Sequence, residues 1–318
     1  ASDVYKRQDL LIQIKPFIGF YCVYLIAPQL TFAQKRFICI LCLIIGGAIT
    51  IVGLTDNIYP IFGHPSRLAT ATIATAFLFL YCSTYTWSDI LVFITLLSIG
   101  LFSTRSKFYG LWFIAIFLLI YNKSGGQLRF NWKSIGLFLC LSLLVVWFVR
   151  DKIVLYYIDG MMNSREIWSR PAMMLTSGHI LYDYFPFGSG LASFGTYASG
   201  EYYSAIYEAY GIDKLWGISR NESFFICDAF YPSLAQFGVI GVILYITFWV
   251  SILYKGYHYI STDNQKQWIM LLLSFLFFLI EGVADTTFTH NRGLFILIIT
   301  AITLNEMKYC HETTRGYI

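Results

Sequence analysis

Charge is scarce in this chain. Asp, Glu, Lys and Arg make up 13% of its 318 residues, about half the share of a soluble domain. So few charges cannot cover a water-facing surface, and lipid is the solvent this composition suits. The net charge is only +4 and its basic residues are scattered, which excludes the concentrated positive field that nucleic acid needs. Cysteine forms no framework. Cys22, Cys39, Cys42 and Cys140 sit in apolar runs, where a thiol behaves as a small hydrophobe, and Cys227 stands alone in a polar stretch. Cys39 and Cys42 lie three apart on one helical face, which packing explains, and no His/Cys spacing of a zinc site occurs, so neither a metal nor a cofactor is expected. No internal repeat is visible, unlike the inverted repeats of many transporters. The opening Ala1-Ser2-Asp3-Val4-Tyr5-Lys6-Arg7-Gln8 reads as neither signal peptide nor span. Residues 1–10 are therefore expected to be a non-native or truncated N-terminal segment, with one or more earlier spans missing.

What is present is apolar and aromatic. Hydrophobic residues reach 57% and aromatics 19%, with a mean hydropathy of +0.62. A membrane span takes about 20 mostly apolar residues. Segments of that kind fall at 11–30, 37–54, 68–86, 89–104, 108–121, 135–149, 233–254, 267–283 and 293–306. The expected fold is all-α, a polytopic transmembrane bundle of about nine spans. Residues 11–149 and 233–307 carry the spans, 150–232 form one long outward loop with short amphipathic helices, and 308–318 form a cytoplasmic tail.

Orientation follows from the basic residues, which concentrate on the cytoplasmic side. One set of connections holds Lys35, Arg36, Lys123, Arg129, Lys133, Lys255, Lys266, Lys308 and Arg315, nine in all, against four in the alternate short loops: Arg67, Arg105, Lys107 and Arg292. The first set is placed inside and the long loop outside. Arg105, Arg165, Arg170, Arg220, Arg292, Glu222, Asp228, Glu281, Asp285 and His290 then share one face. Ionisable groups at headgroup depth are costly unless paired or functional.

Several outward stretches can carry chemistry. Arg105, in Ser103-Thr104-Arg105-Ser106, reads either as an arginine snorkelling to headgroups or as a clamp offering bidentate donors to a diphosphate. Asn163-x-x-Glu166 resembles a capping box opening an amphipathic helix flanked by Arg165 and Arg170, which Pro171 would kink or restart. Pro186-Phe187-Gly188-Ser189-Gly190 is a tight glycine turn, compatible with close backbone approach to a phosphate at Gly188 and Gly190. It is no dinucleotide fingerprint, since Ser193 holds the third glycine position and no strand precedes it. Tyr197, Tyr202, Tyr203, Tyr207 and Tyr210 form a shelf suited to interfacial anchoring or to glycan stacking. Asp228, with Glu222 and His290 in reserve, is nominated as general base, and each carboxylate here could equally serve as a salt-bridge partner.

At these residues the chain resembles the bacterial O-antigen ligase and O-antigen polymerase family. Ser103-Thr104-Arg105-Ser106 is similar to its small-residue/Arg motif at the outer end of a span. Arg165-x-x-Trp168 and Pro186-x-Gly188-x-Gly190-x-x-x-Phe194 are similar to its arginine helix and glycine turn. Asp228-x-x-x-Pro232-x-x-x-Gln236-Phe237-Gly238-Val239-Ile240-Gly241 is similar to the segment leading into its next span. Ligases carry a histidine before that segment. Here the chain reads Phe225-Ile226-Cys227-Asp228, and Gln236 stands for a glutamate, which favours the polymerase branch. The resemblance implies a metal-independent membrane glycosyltransferase of the bacterial inner membrane with its long loop in the periplasm. Arg105, Arg165 and Asp228 are its expected catalytic residues. Arg170, Arg220, Glu222, His290, Arg292, Gly188 and Gly190 are expected to bind substrate. The expected partners are a lipid-linked oligosaccharide donor, a glycan acceptor, membrane lipids and a chain-length regulator, with no nucleic acid. A ligase acting on lipid A-core or protein is the alternative within this chemistry, and a polysaccharide flippase or exporter is the alternative outside it. Polarity gathered in one outward interval, rather than spread through the spans, favours the enzyme.

Overall fold

The computed structural model describes residues 3–126, 154–163 and 167–314, together with Leu128, Gly136 and Arg150. Among these every regular element is helical. The helices are α1 Asp3–Ile26, α2 Phe32–Leu54, α3 Ile58–Phe62, α4 Pro65–Cys82, α5 Trp87–Ser98, α6 Ser106–Lys123, α7 Ser169–Asp183, α8 Tyr197–Glu201, α9 Ala205–Ala209, α10 Phe230–Ser233, α11 Gly238–His258, α12 Gln265–Glu281 and α13 Asn291–Thr314. Short 3₁₀ turns extend α5 to Ser103 and join α10 to α11, and a wider helical stretch covers Val154–Asn163.

Local chemistry sets the ends. Thr31 and Gln34 exchange side-chain and backbone bonds in a capping box at the start of α2, and Thr86 and Asp89 do the same for α5. Pro65 occupies the first turn of α4, where its missing N–H leaves nothing unsatisfied. A helix stands at eight of the nine expected span positions, and 135–149, apart from Gly136, lies outside the described residues. Among the described residues four helical stretches are long and apolar enough to cross a membrane: Asp3–Ile26, Phe32–Leu54, Phe230–His258 and Asn291–Thr313. On α2 the side chains of Phe37, Ile44 and Ile51 are more than half exposed. That is the pattern of a helix with lipid on its outer face.

The chain divides into two units. The first takes residues 1–17, 148–251 and 278–290, and the second takes 18–147, 252–277 and 291–318. In the second unit small residues bring helices close, as they must where lipid removes the hydrophobic drive between helices. A Cβ on Gly46 would come within 2.3 Å of Leu96, and one on Gly53 within 2.6 Å of Phe102. Lys35 pairs with Glu306 at 2.9 Å.

The first unit has its own core. Ala172, Met173 and Ile180 of α7 pack with Phe194, Tyr203, Tyr207, Ile212, Ile218, Ile226 and Ala235. The polar interval is thus a folded body, not a simple loop over the spans. A second anchor is Phe288, which is buried and stacks against Phe17, Phe230, Tyr245, Phe248, Trp249 and Phe278 at centroid distances of 4.9–6.5 Å. It ties the 282–290 turn to α10 and to the middle of α11.

Candidate functional site

The first unit brings together two charged groups named from sequence. Arg170 sits in the first turn of α7, which begins at Ser169 with Trp168 as its N-cap. Asp228 ends the turn before α10. Their side chains meet with Arg170 Nε donating to Asp228 Oδ2 at 2.5 Å, across 58 residues of chain. Both are partly accessible, at 31% and 27%, and the guanidinium lies 5.5 Å from the centre of the Phe225 ring. The capping box expected at Asn163 and Glu166 lies partly outside the described residues, as does Arg165.

The 282–290 turn closes on the same place. The amides of Phe230 and Tyr231 both donate to Gly282 O, at 3.0 and 3.2 Å. The Thr286 hydroxyl stands 3.2 Å from Cys227 O, to which it can donate, and 3.0 Å from His290 Nε2. Thr287 bridges Asp285 at 2.9 Å and the buried Glu281 at 3.3 Å. His290 is therefore linked through one hydroxyl to the residue before Asp228.

Between Thr286 and Asp228 lies Cys227. Burial, and then the Asp228 carboxylate, push its thiol above the usual range. The thiolate is the reactive form, so Cys227 is expected to alkylate slowly at neutral pH. In a background where Cys227 is the single cysteine, Asp228→Asn should speed its maleimide labelling severalfold. Equal rates would remove Asp228 from its surroundings.

The glycine turn has a different use from the one expected. Gly188 N donates to Tyr184 O at 2.8 Å and Gly190 N to Gln236 O at 2.9 Å, so both amides are engaged within the chain. Gly188 has φ +78°, and a Cβ there would lie 2.2 Å from Gly238 N and 2.4 Å from Ala235 O. The close approach that glycine permits is that of backbone to backbone. Two stretches that looked independent in sequence, Pro186–Phe194 and Asp228–Gly241, are packed on each other by it. The tyrosine shelf also divides. Tyr197 is exposed, but Tyr203 and Tyr207 are buried. Tyr207 accepts from Gly195 N at 3.0 Å and meets Ser199 Oγ at 2.7 Å, and Tyr203 donates to Ile218 O at 2.9 Å. Those two serve the core, not a glycan. Burial pushes the Tyr207 phenol well above its usual range.

Arg220 and Glu222 are not drawn into the pair. Arg220 is exposed and stands 3.5 Å from Glu208, a surface contact worth about 0–1 kcal/mol, with Tyr203 beneath it. Glu222 is exposed. Asp9, in the stretch set aside as non-native, was missed by sequence reasoning. It is buried on α1 and accepts from Ala192 N at 2.8 Å and from Gln13 at 3.5 Å. The carboxamide of Gln236, 1% exposed, is buried beside the Asp9 carboxyl group.

Arg105 and Arg292 belong to the second unit. Arg292 lies half-buried in the first turn of α13. Arg105 is the N-cap of α6, following Thr104 with φ +52°. Its Nη2 stands 2.7 Å from His64 Nε2, while His64 Nδ1 faces the Ser66 amide at 3.2 Å. At least one imidazole nitrogen carries a hydrogen. Whichever it is, one of these two contacts sets donor against donor. An anionic oxygen entering beside Arg105 and His64 Nε2–H would accept from both and resolve the conflict. His64 was visible in sequence as the residue before a helix-starting proline, but nothing there connected it with Arg105.

The class these features define is an all-helical membrane protein carrying a folded polar body with a paired arginine and aspartate. Among the described residues no three His, Cys, Asp or Glu side chains stand where they could hold a metal ion. No family model, no curated protein and no solved structure matches the chain.

Proposed function

We propose that the chain is an integral-membrane glycosyltransferase that polymerises a bacterial surface polysaccharide. It would move a glycan from undecaprenyl diphosphate to the sugar terminus of a second lipid-linked repeat unit. The Arg170–Asp228 pair is the observation that carries the reading, because it places a cation for a diphosphate beside a carboxylate for a hydroxyl. The family resemblance of the sequence motifs supports it, and so does the packing of two of those motifs on each other. The finer architecture proposed with it is nine spans in the inner membrane and the polar body in the periplasm, with Arg165, Arg220, Glu222 and Arg292 adding contacts to the substrates.

The chemistry follows from exchange within the pair. A diphosphate oxygen arriving at Arg170 takes over its guanidinium, which the Phe225 ring keeps in place. Asp228 then turns to the acceptor hydroxyl. That oxygen attacks the anomeric carbon of the donor sugar, the carbon–oxygen bond to phosphate breaks, the lipid diphosphate leaves with the electron pair, and the proton passes to Asp228. Within the second unit, Arg105 with His64 beside it is proposed as a separate pair of preorganised donors for a diphosphate group.

Asp228→Asn tests the base. A general base contributes about 10²–10⁴-fold, so polymerisation should fall by at least the lower figure while the protein still folds. Arg170→Ala should weaken donor use more than it slows acceptor attack. A polysaccharide ladder of normal length from Asp228→Asn would overturn the assignment. In a deletion strain, loss of the ladder with one repeat unit retained supports a polymerase, whereas loss of all units points to the ligase activity.

A further inference from the structure

We infer that Trp216 and Phe224 form an aromatic platform in the first unit that holds the sugar end of the acceptor glycan. The inference rests on the glycosyltransferase reading of the Arg170–Asp228 pair and adds to it what binds beside that pair.

The platform is built by its own turn. Phe225 N donates to Gly217 O at 2.8 Å, which closes residues 217–225 into a loop with Trp216 and Phe224 at its two feet. Gly217 has φ +78°, and a Cβ there would lie 2.3 Å from Cδ2 of Phe225 and 3.0 Å from Cε2 of Phe224. Only glycine lets both rings come so close to the backbone. The Ser169 hydroxyl donates to Trp216 O, so the other foot is fixed to the first turn of α7, next to Arg170. The three rings then hold one another. Trp216 meets Phe224 at 5.1 Å and Phe225 at 5.2 Å, edge to face, and the two phenylalanines lie 4.8 Å apart. The Arg170 guanidinium stands over Phe225, so the cluster runs without a break into the charged pair.

The apolar side chains of this loop are sorted. Ile218 and Ile226 are buried in the core of the unit, whereas Trp216 is 66% exposed and Phe224 51%. Aromatic surface left open beside a polar rim marks a contact with something else. Arg220, Asn221 and Glu222, exposed at the tip of the same loop, decide what. Sinking that tip into hydrocarbon would strand its charges. A sugar ring instead offers an apolar C–H face to the indole and hydroxyls to the tip. Arg220 is engaged with Glu208 and Tyr203, and Asn221 and Glu222 supply the hydrogen-bonding groups for hydroxyls. Position selects the acceptor. A donor is gripped by its diphosphate at Arg170. The acceptor reaches Asp228 by its sugar terminus, away from its own diphosphate, so an uncharged surface must hold it.

The test uses the purified full chain in detergent, titrated by calorimetry. Its probe is the repeat-unit oligosaccharide of the host's own surface polysaccharide, freed from lipid by mild acid. Saturable binding is expected, weakened about three- to tenfold by Trp216→Ala, the scale of one aromatic contact, and a few-fold by Phe224→Ala. Trp216→Phe should bind nearly as the parent does, and all three variants should keep the parent's Tm because the rings are exposed. Asp228→Asn should still bind the oligosaccharide while failing to polymerise, which separates holding from chemistry. In vesicles of brominated phosphatidylcholine, the part of the emission that Trp216→Phe removes should escape quenching. Quenching of that part puts the ring in the bilayer and overturns the platform, as do absence of saturable binding and an affinity unchanged in Trp216→Ala. A ladder of normal length from Asp228→Asn would instead sink the glycosyltransferase reading itself, so the two failures are told apart.

Discussion

Arg105→Ala is expected to end synthesis of long-chain polysaccharide and leave single repeat units on the carrier or the core. A preorganised donor to a developing phosphate charge is typically worth a factor of about 10²–10³. The expectation comes from how the side chain is held. Thr104 in the left-handed region swings the chain into the start of α6, and the Arg105 amide stands 3.4 Å from Ser103 Oγ. The guanidinium thus projects from a fixed point and meets the His64 imidazole, whose two nitrogens cannot both accept from Arg105 and from the Ser66 amide. An anionic oxygen placed there would accept from both groups. Arg105→Lys keeps the charge but loses the planar fork, so a partial loss is expected, not recovery. His64→Ala should reduce activity by about tenfold, as removal of one of two donors would. Arg165→Ala, from its place in the arginine-tryptophan motif, should lose the ladder as Arg105→Ala does. Normal chain lengths from well-expressed Arg105→Ala and Arg165→Ala would falsify the clamp, and gel analysis of surface polysaccharide decides it.

Much of the helical layout was legible because hydropathy alone marks a segment that needs an apolar solvent. The capping threonines before α2 and α5 and the proline opening α4 mark ends as clearly. The site was legible only in part, for reasons that individual residues make plain. Arg170 and Asp228 were each chosen from sequence, but their meeting depends on how α7 and the 225–238 stretch pack around Ile180, Phe194 and Ile226. No spacing rule reaches across 58 residues. Tyr203 and Tyr207 looked like a surface shelf because tyrosine is at home on either side of an interface. Their hydroxyls find backbone and serine partners inside the core, and that is invisible in a list of aromatics. Asp9 was passed over because its partner, the Ala192 amide, lies 183 residues away. Gly188 was misread for a more instructive reason. Absence of a side chain announces that something comes close and never says what.

What comes close is the chain itself, and Gly188→Ala is therefore expected to prevent the first unit from folding. The added Cβ would lie 2.2 Å from Gly238 N, 2.4 Å from Ala235 O and 2.7 Å from the Gln236 carbonyl carbon. All three are backbone atoms, so no rotamer change relieves the contact. Gly238 is constrained in return, since a Cβ there would lie 2.2 Å from Pro186 O and 2.4 Å from Gly188 N. Separating the two backbones would break Gly190 N to Gln236 O, at 2.9 Å, and lengthen Ile240 N to Pro186 O, already 3.4 Å. The left-handed φ of +78° adds about 1–2 kcal/mol for any L side chain. Together these place Gly188→Ala among the rare substitutions that exceed about 4–5 kcal/mol. Gly190→Ala supplies the control. Its φ is +90°, but nothing lies within 4 Å of the added atom, so only the backbone strain of about 1–2 kcal/mol applies. The first variant should be lost to aggregation or to rapid proteolysis around residues 184–200, whereas the second should purify as a monodisperse protein with a modestly lower Tm. Were the glycines instead cradling a phosphate, both variants would fold and both would lose activity. A Gly188→Ala protein as stable as the parent would show that the turn does not rest on Ala235–Gly238.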